Sequence, residues 1–279
     1  MRVLIAGCGY VGLRLAVRLA EAGHEVFGLK RQPPTTTHAF TWLRGDLTGS
    51  AYELPDRLDG VVLAAGLRRD TEAHYRDLLV EGYQRLLARV EASSARLSRV
   101  VLVSTTGVFA ESDGGWVDET SPVNADRSPT RYYVESEAMV ARFPASTTVA
   151  RLSGIYGPGR NRMIREVQDG AARLFPPPVH YLNHIHADDA AGALAHLLTH
   201  AEPEPLYIVS DPEPTDRNEV VRWIAKTGGW NEPPPAGTDA PRPSRRSGNK
   251  RCSPARLLAS GYRFQYPSFR EGYAALMTS

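Results

Sequence analysis

The 279-residue chain predicts an α/β fold, a doubly wound parallel sheet with a small carboxy-terminal α/β lobe. Three observations predict it. Its apolar runs are continuous rather than alternating, as in strands covered on both faces. They alternate with helix-spaced stretches, and parallel neighbours need a crossover that is normally a right-handed helix. A glycine-rich turn also joins the first apolar run to the first helix.

The elements follow in order. Val3 to Ala6 is the first strand, closed by Gly7. Beyond Gly12 a helix is expected with Leu15, Leu19 and Ala22 on one stripe and Gly23 as its stop. Glu25 to Leu29 and Gly60 to Ala65 read as strands, and Thr71 to Ala92 as a helix turning Leu78, Leu79, Leu86, Leu87 and Val90 inward. Val100 to Ser104, a helix over Tyr132 to Arg142 and a strand over Thr148 to Leu152 continue the alternation. From Gly154 onward the proline clusters Pro176 to Pro178 and Pro233 to Pro235 interrupt shorter helices at Asp188 to Leu198 and Asn218 to Lys226. Pro233 to Gly248 has the breakers of a loop. The expected division is 1–153 with 184–200 as the larger domain, and 154–183 with 201–279 as the small lobe.

A net charge of +2, 42% apolar and 23% charged residues are ordinary for a globular protein and point to neither disorder nor nucleic-acid binding. Cys8 and Cys252 are too few for a disulfide framework, so a reducing, cytoplasmic setting is expected. Val3 to Ala6 is too short for a secretory apolar region, and no run approaches the ~18 residues of a membrane span. The chain is expected to be soluble, with no membrane partner.

Gly7-Cys8-Gly9-Tyr10-Val11-Gly12 fits G-x-G-x-x-G between a predicted strand and a predicted helix, the context of a dinucleotide-binding (Rossmann) turn. Gly7 permits the tight turn, Gly9 lets a pyrophosphate approach, and Gly12 brings helix and sheet together. The amides of Tyr10, Val11 and Gly12 then open the helix toward negative charge. An NAD-selective site places a carboxylate about 20 residues on. Here no Asp or Glu stands between Val26 and Gly45, and Lys30 and Arg31 follow the second strand instead. Those cations suit a 2′-phosphate, which makes NADP the preferred cofactor and NAD the alternative. Asp46, beside Leu47, is placed either to contact an adenine edge or to cap its own turn.

Three further segments carry a resemblance. Ser104-Thr105-Thr106-Gly107-Val108-Phe109, Arg151 to Gly159 (R-x-x-x-x-Y-G-P-G) and His184 to Asp189 make the chain resemble the extended short-chain dehydrogenase/reductases of the NAD-dependent epimerase/dehydratase family along nearly its whole length. The resemblance implies that Ala64, Ala65, Gly66 and Ser104 line the cofactor, that Thr105 is the catalytic hydroxyl and that residues after Gly159 reach a small-molecule, possibly nucleotide-linked, substrate. It also implies a homodimer through the Thr71 and Tyr132 helices. The family's Tyr-x-x-x-Lys pair is missing: Ser136 follows Tyr132 and Glu137 follows Tyr133 at that spacing, and the only lysines are Lys30, Lys226 and Lys250. A phenol near pKa 10 needs about 4 kcal/mol of differential stabilisation to ionise near 7. Glu137 is expected to oppose that, and Arg131 to point to another side of the helix. Tyr132 and Tyr133, about 100° apart, cannot both face the cofactor.

On the substrate side the candidates are Arg160, Asn161, Asn183 and Arg245, the last within a basic stretch from Arg242 to Arg251 that reads either as a phosphate site or as a solvated loop. His180, His184 and His186 lack the remaining ligands of a metal centre, so no metal is expected. Ser104 has no nucleophile-elbow context. The expected activity is hydride transfer at a hydroxyl or carbonyl carbon. The alternative is a regulatory or sensor protein that binds the dinucleotide without turnover.

Overall fold

The structure, a computed structural model, describes residues 1–49, 52–66, 71–93, 97–237 and 248–278. It opens with β1 (Arg2–Ala6), α1 (Tyr10–Glu21), β2 (Glu25–Lys30), β3 (Thr41–Arg44) and β4 (Gly60–Leu63). One long helical stretch follows as α2 (Glu72–Arg76), a π-helical turn (Asp77–Gly82) and α3 (Tyr83–Ser93), before β5 (Arg99–Thr105) and a 3-10 turn (Thr106–Val108). Next come β6 (Trp116–Val117), α4 (Arg131–Val140), β7 (Ser146–Leu152), β8 (Gly154–Tyr156) and α5 (Arg162–Gln168). The chain continues through β9 (Tyr181–Leu182), β10 (His184–His186), α6 (Ala187–Thr199), β11 (Leu206–Val209), β12 (Thr215–Asp216) and α7 (Arg217–Gly228). It closes with β13 (Arg251–Cys252), α8 (Ala255–Ala259) and α9 (Phe269–Thr278).

Among the described residues, seven strands form the main sheet in the order β11-β7-β5-β4-β1-β2-β3. Pairing is parallel from β5 through β4, β1 and β2 to β3. The order reverses direction beside β1, and in such sheets the crevice at the carboxyl ends of the strands at that point is where ligands bind. β4 and the Val3 to Ala6 run of β1 are fully covered, as their unbroken apolar sequences require. Leu4, Leu63, Leu86, Leu87, Val90 and Leu102 meet in one core cluster beneath the helices. α1 buries Val11, Leu15, Ala16 and Leu19, whereas Ala22 sits past the helix end in solvent, and Gly23 takes φ +82° to end the element.

The helix expected over Thr71 to Ala92 is present, begun by Thr71, whose Oγ1 accepts from the His74 amide. Its π-helical turn is the unexpected part. A Cβ on Gly82 would stand 2.8 Å from the Leu47 carbonyl, so the helix approaches the chain after β3 at a position only glycine allows. Arg85 fastens the same approach by donating to the carbonyls of Leu47 and Thr48 and to Asp77. The short strands β3 and β11 were not expected from the sequence, nor were α5, α8 and α9.

The chain divides into two compact units: Met1–Val108, Asn124–Arg151 and Ala190–Tyr207 form one, and Phe109–Val123, Leu152–Asp189 and Ile208–Ser279 the other. Within the second unit Tyr156, Ile164, Val167, Val221, Ile224 and Phe269 build a separate core. Cys8 and Cys252 are both buried, and neither is in a disulfide among the described residues. No helix among the described residues is long and apolar enough to cross a membrane.

Candidate functional site

In the first unit the turn from β1 into α1 crosses to β2, where the amides of Gly7 and Cys8 donate to the Leu29 carbonyl at 3.1 and 3.0 Å. Gly7 takes φ +90°, and a Cβ there would come within 2.3 Å of the Ala65 Cα, so residue type and turn are inseparable. A Cβ on Gly12 would meet the Gly7 carbonyl oxygen at 2.9 Å. Gly9 and Gly66 differ: an added Cβ would meet only the Gly7 oxygen at 3.8 Å in the first case and nothing within 4 Å in the second. That open space lies in front of a helix start with no capping side chain and no acid in its first turn, an arrangement that suits an anion.

The open space belongs to a cleft of about 680 Å³. Gly7, Gly9, Ala65 and Gly66 line one part of it, and Lys30, Arg31, Gln32, Asp46 and Leu47 another. Lys30 and Arg31 are therefore brought together with the glycine turn, with no acid following β2. Asp46 does double duty: its Oδ1 accepts from the amide and the hydroxyl of Thr48, both at 3.0 Å, while the residue still faces the cleft. The Lys30 ammonium lies 5.8 Å from the Trp42 ring centroid. Burial pushes the Cys8 thiol up to about 12, with Lys30 pulling the other way.

His74 and Leu78 complete the wall and were missed in the sequence. The available signal was their spacing of four on a helix expected to cover the sheet. Tyr10, Val11, Gly12, Ala64 and Ser104 do not line the cleft. The Tyr10 ring instead lies beneath the Arg14 guanidinium at 4.2 Å, and the Val11 side chain is buried.

At the carboxyl end of β5, Thr105 Oγ1 accepts from the Gly107 amide at 3.0 Å, which leaves its own hydrogen to donate. Ser104 is buried and donates to Glu137 Oε1 at 2.5 Å. Arg151 holds the same carboxylate with Nε at 3.0 Å and Nη2 at 2.7 Å. The expectation that Glu137 confronts a phenol is thus corrected, because Arg151 and Ser104 take up its carboxylate.

The two tyrosines part company. Tyr132 is buried but its hydroxyl accepts from Arg131 Nη2 at 2.7 Å and donates to Glu72 Oε2 at 3.4 Å. Arg131 therefore reaches its immediate neighbour by folding its long side chain back over the ring, with Cζ 4.8 Å from the centroid. Tyr133 packs on the core, and burial, reinforced by Tyr75, pushes its phenol up to about 12.

In the second unit the remaining candidates are scattered. Arg160 is exposed in a tight turn with Gly157, and Asn161 starts α5. Asn183 has both ends of its amide engaged, donating to the Lys250 carbonyl and accepting from the Cys252 amide at 2.9 and 2.7 Å. It staples β13 in place. Arg245 lies outside the described residues. Asp189 likewise ties the carboxy-terminal segment, accepting from the Tyr262 hydroxyl and the amides of Gln265 and Tyr266. The described residues contain no group of three or more potential metal ligands.

A doubly wound parallel sheet with a glycine turn opening its first helix defines a Rossmann-type α/β protein. The chain belongs to the NAD dependent epimerase/dehydratase family, whose model matches residues 3–209. No curated protein matches it. A solved structure from Methylobacillus flagellatus, named for the NAD-dependent epimerase/dehydratases, is 38% identical over 99% of this chain and 97% of its own, with a TM-score of 0.80. The human epimerase family protein SDR39U1 (isoform 2), solved with NADPH, shares 21% identity over 100% and 99% of the two chains at a TM-score of 0.79. MoeE5 in complex with UDP-glucose and NAD shares 22% over 100% and 98% at 0.76. The last two likenesses are likenesses of fold.

Proposed function

We propose that the chain is an NADP-preferring oxidoreductase that transfers hydride at a hydroxyl or carbonyl carbon of a small or nucleotide-linked substrate. The observation that carries this reading is the cleft uniting the glycine turn with Lys30 and Arg31. Gly7, Gly9 and the amides of Tyr10, Val11 and Gly12 would hold the pyrophosphate. Lys30 and Arg31 would meet a 2′-phosphate, with Asp46 and Leu47 at the adenine and Ala65 and Gly66 along the dinucleotide. The nicotinamide would supply or accept the hydride. Of the three candidate groups, Thr105 is favoured to hydrogen-bond the substrate oxygen and stabilise charge developing there, without giving up its proton, since its hydrogen is uncommitted while Tyr132 is bonded to Glu72 and Tyr133 is packed in the core.

A second reading, a dinucleotide-binding sensor without turnover, is favoured by one feature: the position four residues after Tyr133 holds a carboxylate locked by Arg151 rather than an activating lysine. NADPH binding followed by its oxidation against a panel of carbonyl compounds decides between them. Oxidation supports the enzyme, tight binding with no turnover supports the sensor, and no binding of either nicotinamide nucleotide removes both.

A further inference from the structure

In the second unit, β13 runs parallel to β6 and sets Arg251 opposite Trp116. The Arg251 guanidinium lies 5.1 Å from the Trp116 ring centroid and 4.9 Å from that of Tyr181, so two aromatic side chains clasp one cation. Its Nε donates to the Gly114 carbonyl at 2.8 Å, which fixes the plane of the group. The clasp is itself anchored. Tyr181 donates its amide to Asn249 Oδ1 at 2.8 Å, and the Asn249 carbonyl accepts from Gly114. Gly114 takes φ +93°, with the Tyr181 ring 3.3 Å from where a Cβ would stand.

Charge around the clasp is unevenly spent. Glu111 turns back onto its own loop to accept from the amides of Asp113 and Gly115, and those bonds hold its carboxyl below the usual range, helped by buried Lys250. Glu119 accepts from the Ile208 amide and stands 3.8 Å from Arg256. Asp118 caps the turn at Thr120 and Ser121. Only Asp113 of this loop's acids remains exposed without such a role, and Arg251 forms no ion pair among the described residues. Its two terminal nitrogens are thus left as a rigid, weakly hydrated fork, the geometry that grips phosphate or carboxylate through paired donors. Beside it Trp116 is 57% exposed, and a cleft of about 300 Å³ against that ring is lined by Glu111, Ser112, Val117, Ser121 and Pro122. A large exposed ring edge next to an unpaired fork is a surface for a ring-bearing anion.

We propose that Trp116, Arg251 and Tyr181 form a recognition site for an oxyanion, phosphate or carboxylate, carried on a planar ring that packs against the exposed edge of Trp116. The site stands apart from the dinucleotide reading, since none of its residues lines the cleft at the glycine turn. The test titrates the full chain with phenyl phosphate, benzoate and inorganic phosphate, following tryptophan fluorescence and heat. Saturable binding of a ring-bearing anion is expected, and whichever of phenyl phosphate and benzoate binds tighter assigns the oxyanion. Arg251→Gln is expected to weaken it about tenfold or more. Arg251→Lys, which keeps the charge and the stem, should weaken it as well, and thermal melts show that both variants are folded. Trp116→Leu should lower affinity for the ring-bearing anions and spare inorganic phosphate. NADPH binding should be unchanged in all three variants, so its loss in the unaltered chain would count against the cofactor reading alone. Absence of saturable binding overturns the proposal, as does unchanged affinity in the folded Arg251 variants. Inorganic phosphate binding as tightly as phenyl phosphate overturns it too.

Discussion

Arg151 grips Glu137 through two nitrogens, at 3.0 and 2.7 Å, where the family's spacing after Tyr133 would place a lysine. Both side chains are almost fully buried, 7% and 11% exposed, and Ser104 completes the carboxylate's bonds. The clamp joins α4, β5 and β7 at one point. It is therefore part of the frame of the first unit and cannot act as the activating partner of a phenol.

Removing one member of a buried pair strands the other charge, which typically costs about 3–5 kcal/mol. Glu137→Gln and Arg151→Met are each expected to lower the urea midpoint accordingly. Glu137→Lys restores the family spacing yet sets two cations in contact, so it should unfold the chain rather than activate it. A well-folded Glu137→Lys protein with raised turnover would show the clamp to be dispensable.

Gly7 and Gly9 should separate folding from binding. Gly7→Ala drives a methyl to 2.3 Å from the Ala65 backbone and is expected to destabilise the first unit in thermal melts. Gly9→Ala meets only open space and should melt like the parent. It should nevertheless bind NADPH more weakly, by about tenfold or more in calorimetry, because the methyl would fill the path proposed for the pyrophosphate.

On the proposed reading, selectivity for a 2′-phosphate would rest on the cations after β2. Replacing Lys30 and Arg31 together with alanine is expected to lower NADPH affinity about tenfold, roughly 1.4 kcal/mol, while leaving NADH affinity within about twofold. Equal losses for both nucleotides would assign these residues to general phosphate attraction instead.

Tyr133, pushed up to about 12 by burial, stays protonated throughout the working range. Should turnover be found, Tyr133→Phe is expected to leave the pH profile's shape unaltered, whereas Thr105→Val should lower kcat by about a hundredfold, the lower end of what removing one hydrogen-bond donor to a developing oxyanion costs. A profile limb that vanishes in Tyr133→Phe would reinstate that phenol.

Buried His184 gives the stability curve an acid limb. Burial lowers it from 6.5 to about 4, so it stays neutral when folded over a range where the unfolded chain takes up a proton. Its contribution is fully present above 6.5 and fades as pH falls toward 4, by at most about 3 kcal/mol. Asp211, raised by burial, works in the opposite sense: it stabilises the folded state at low pH and loses that as pH rises through its raised value. His184→Phe should flatten the acid limb, and Asp211→Asn should raise the neutral-pH melting temperature.

By itself the sequence determined the first unit's frame. The run Val3 to Ala6, the spacing Gly7-Gly9-Gly12 and the apolar stripes of α1 and α3 are local patterns, and a strand, a tight turn or a helix face is decided by residues a few positions apart. The basic pair after β2 was legible for the same reason. What Glu137 faces was not, because its partners Ser104 and Arg151 come from two other strands and no periodicity encodes which polar side chains meet. His74 reached the cleft only once the π-helical turn and Gly82 set the helix against Leu47. Asn183 read as a substrate contact in the chain and became a staple of β13 in the fold. Buried polar groups must find partners wherever the packed chain supplies them, and only the tertiary structure decides where that is.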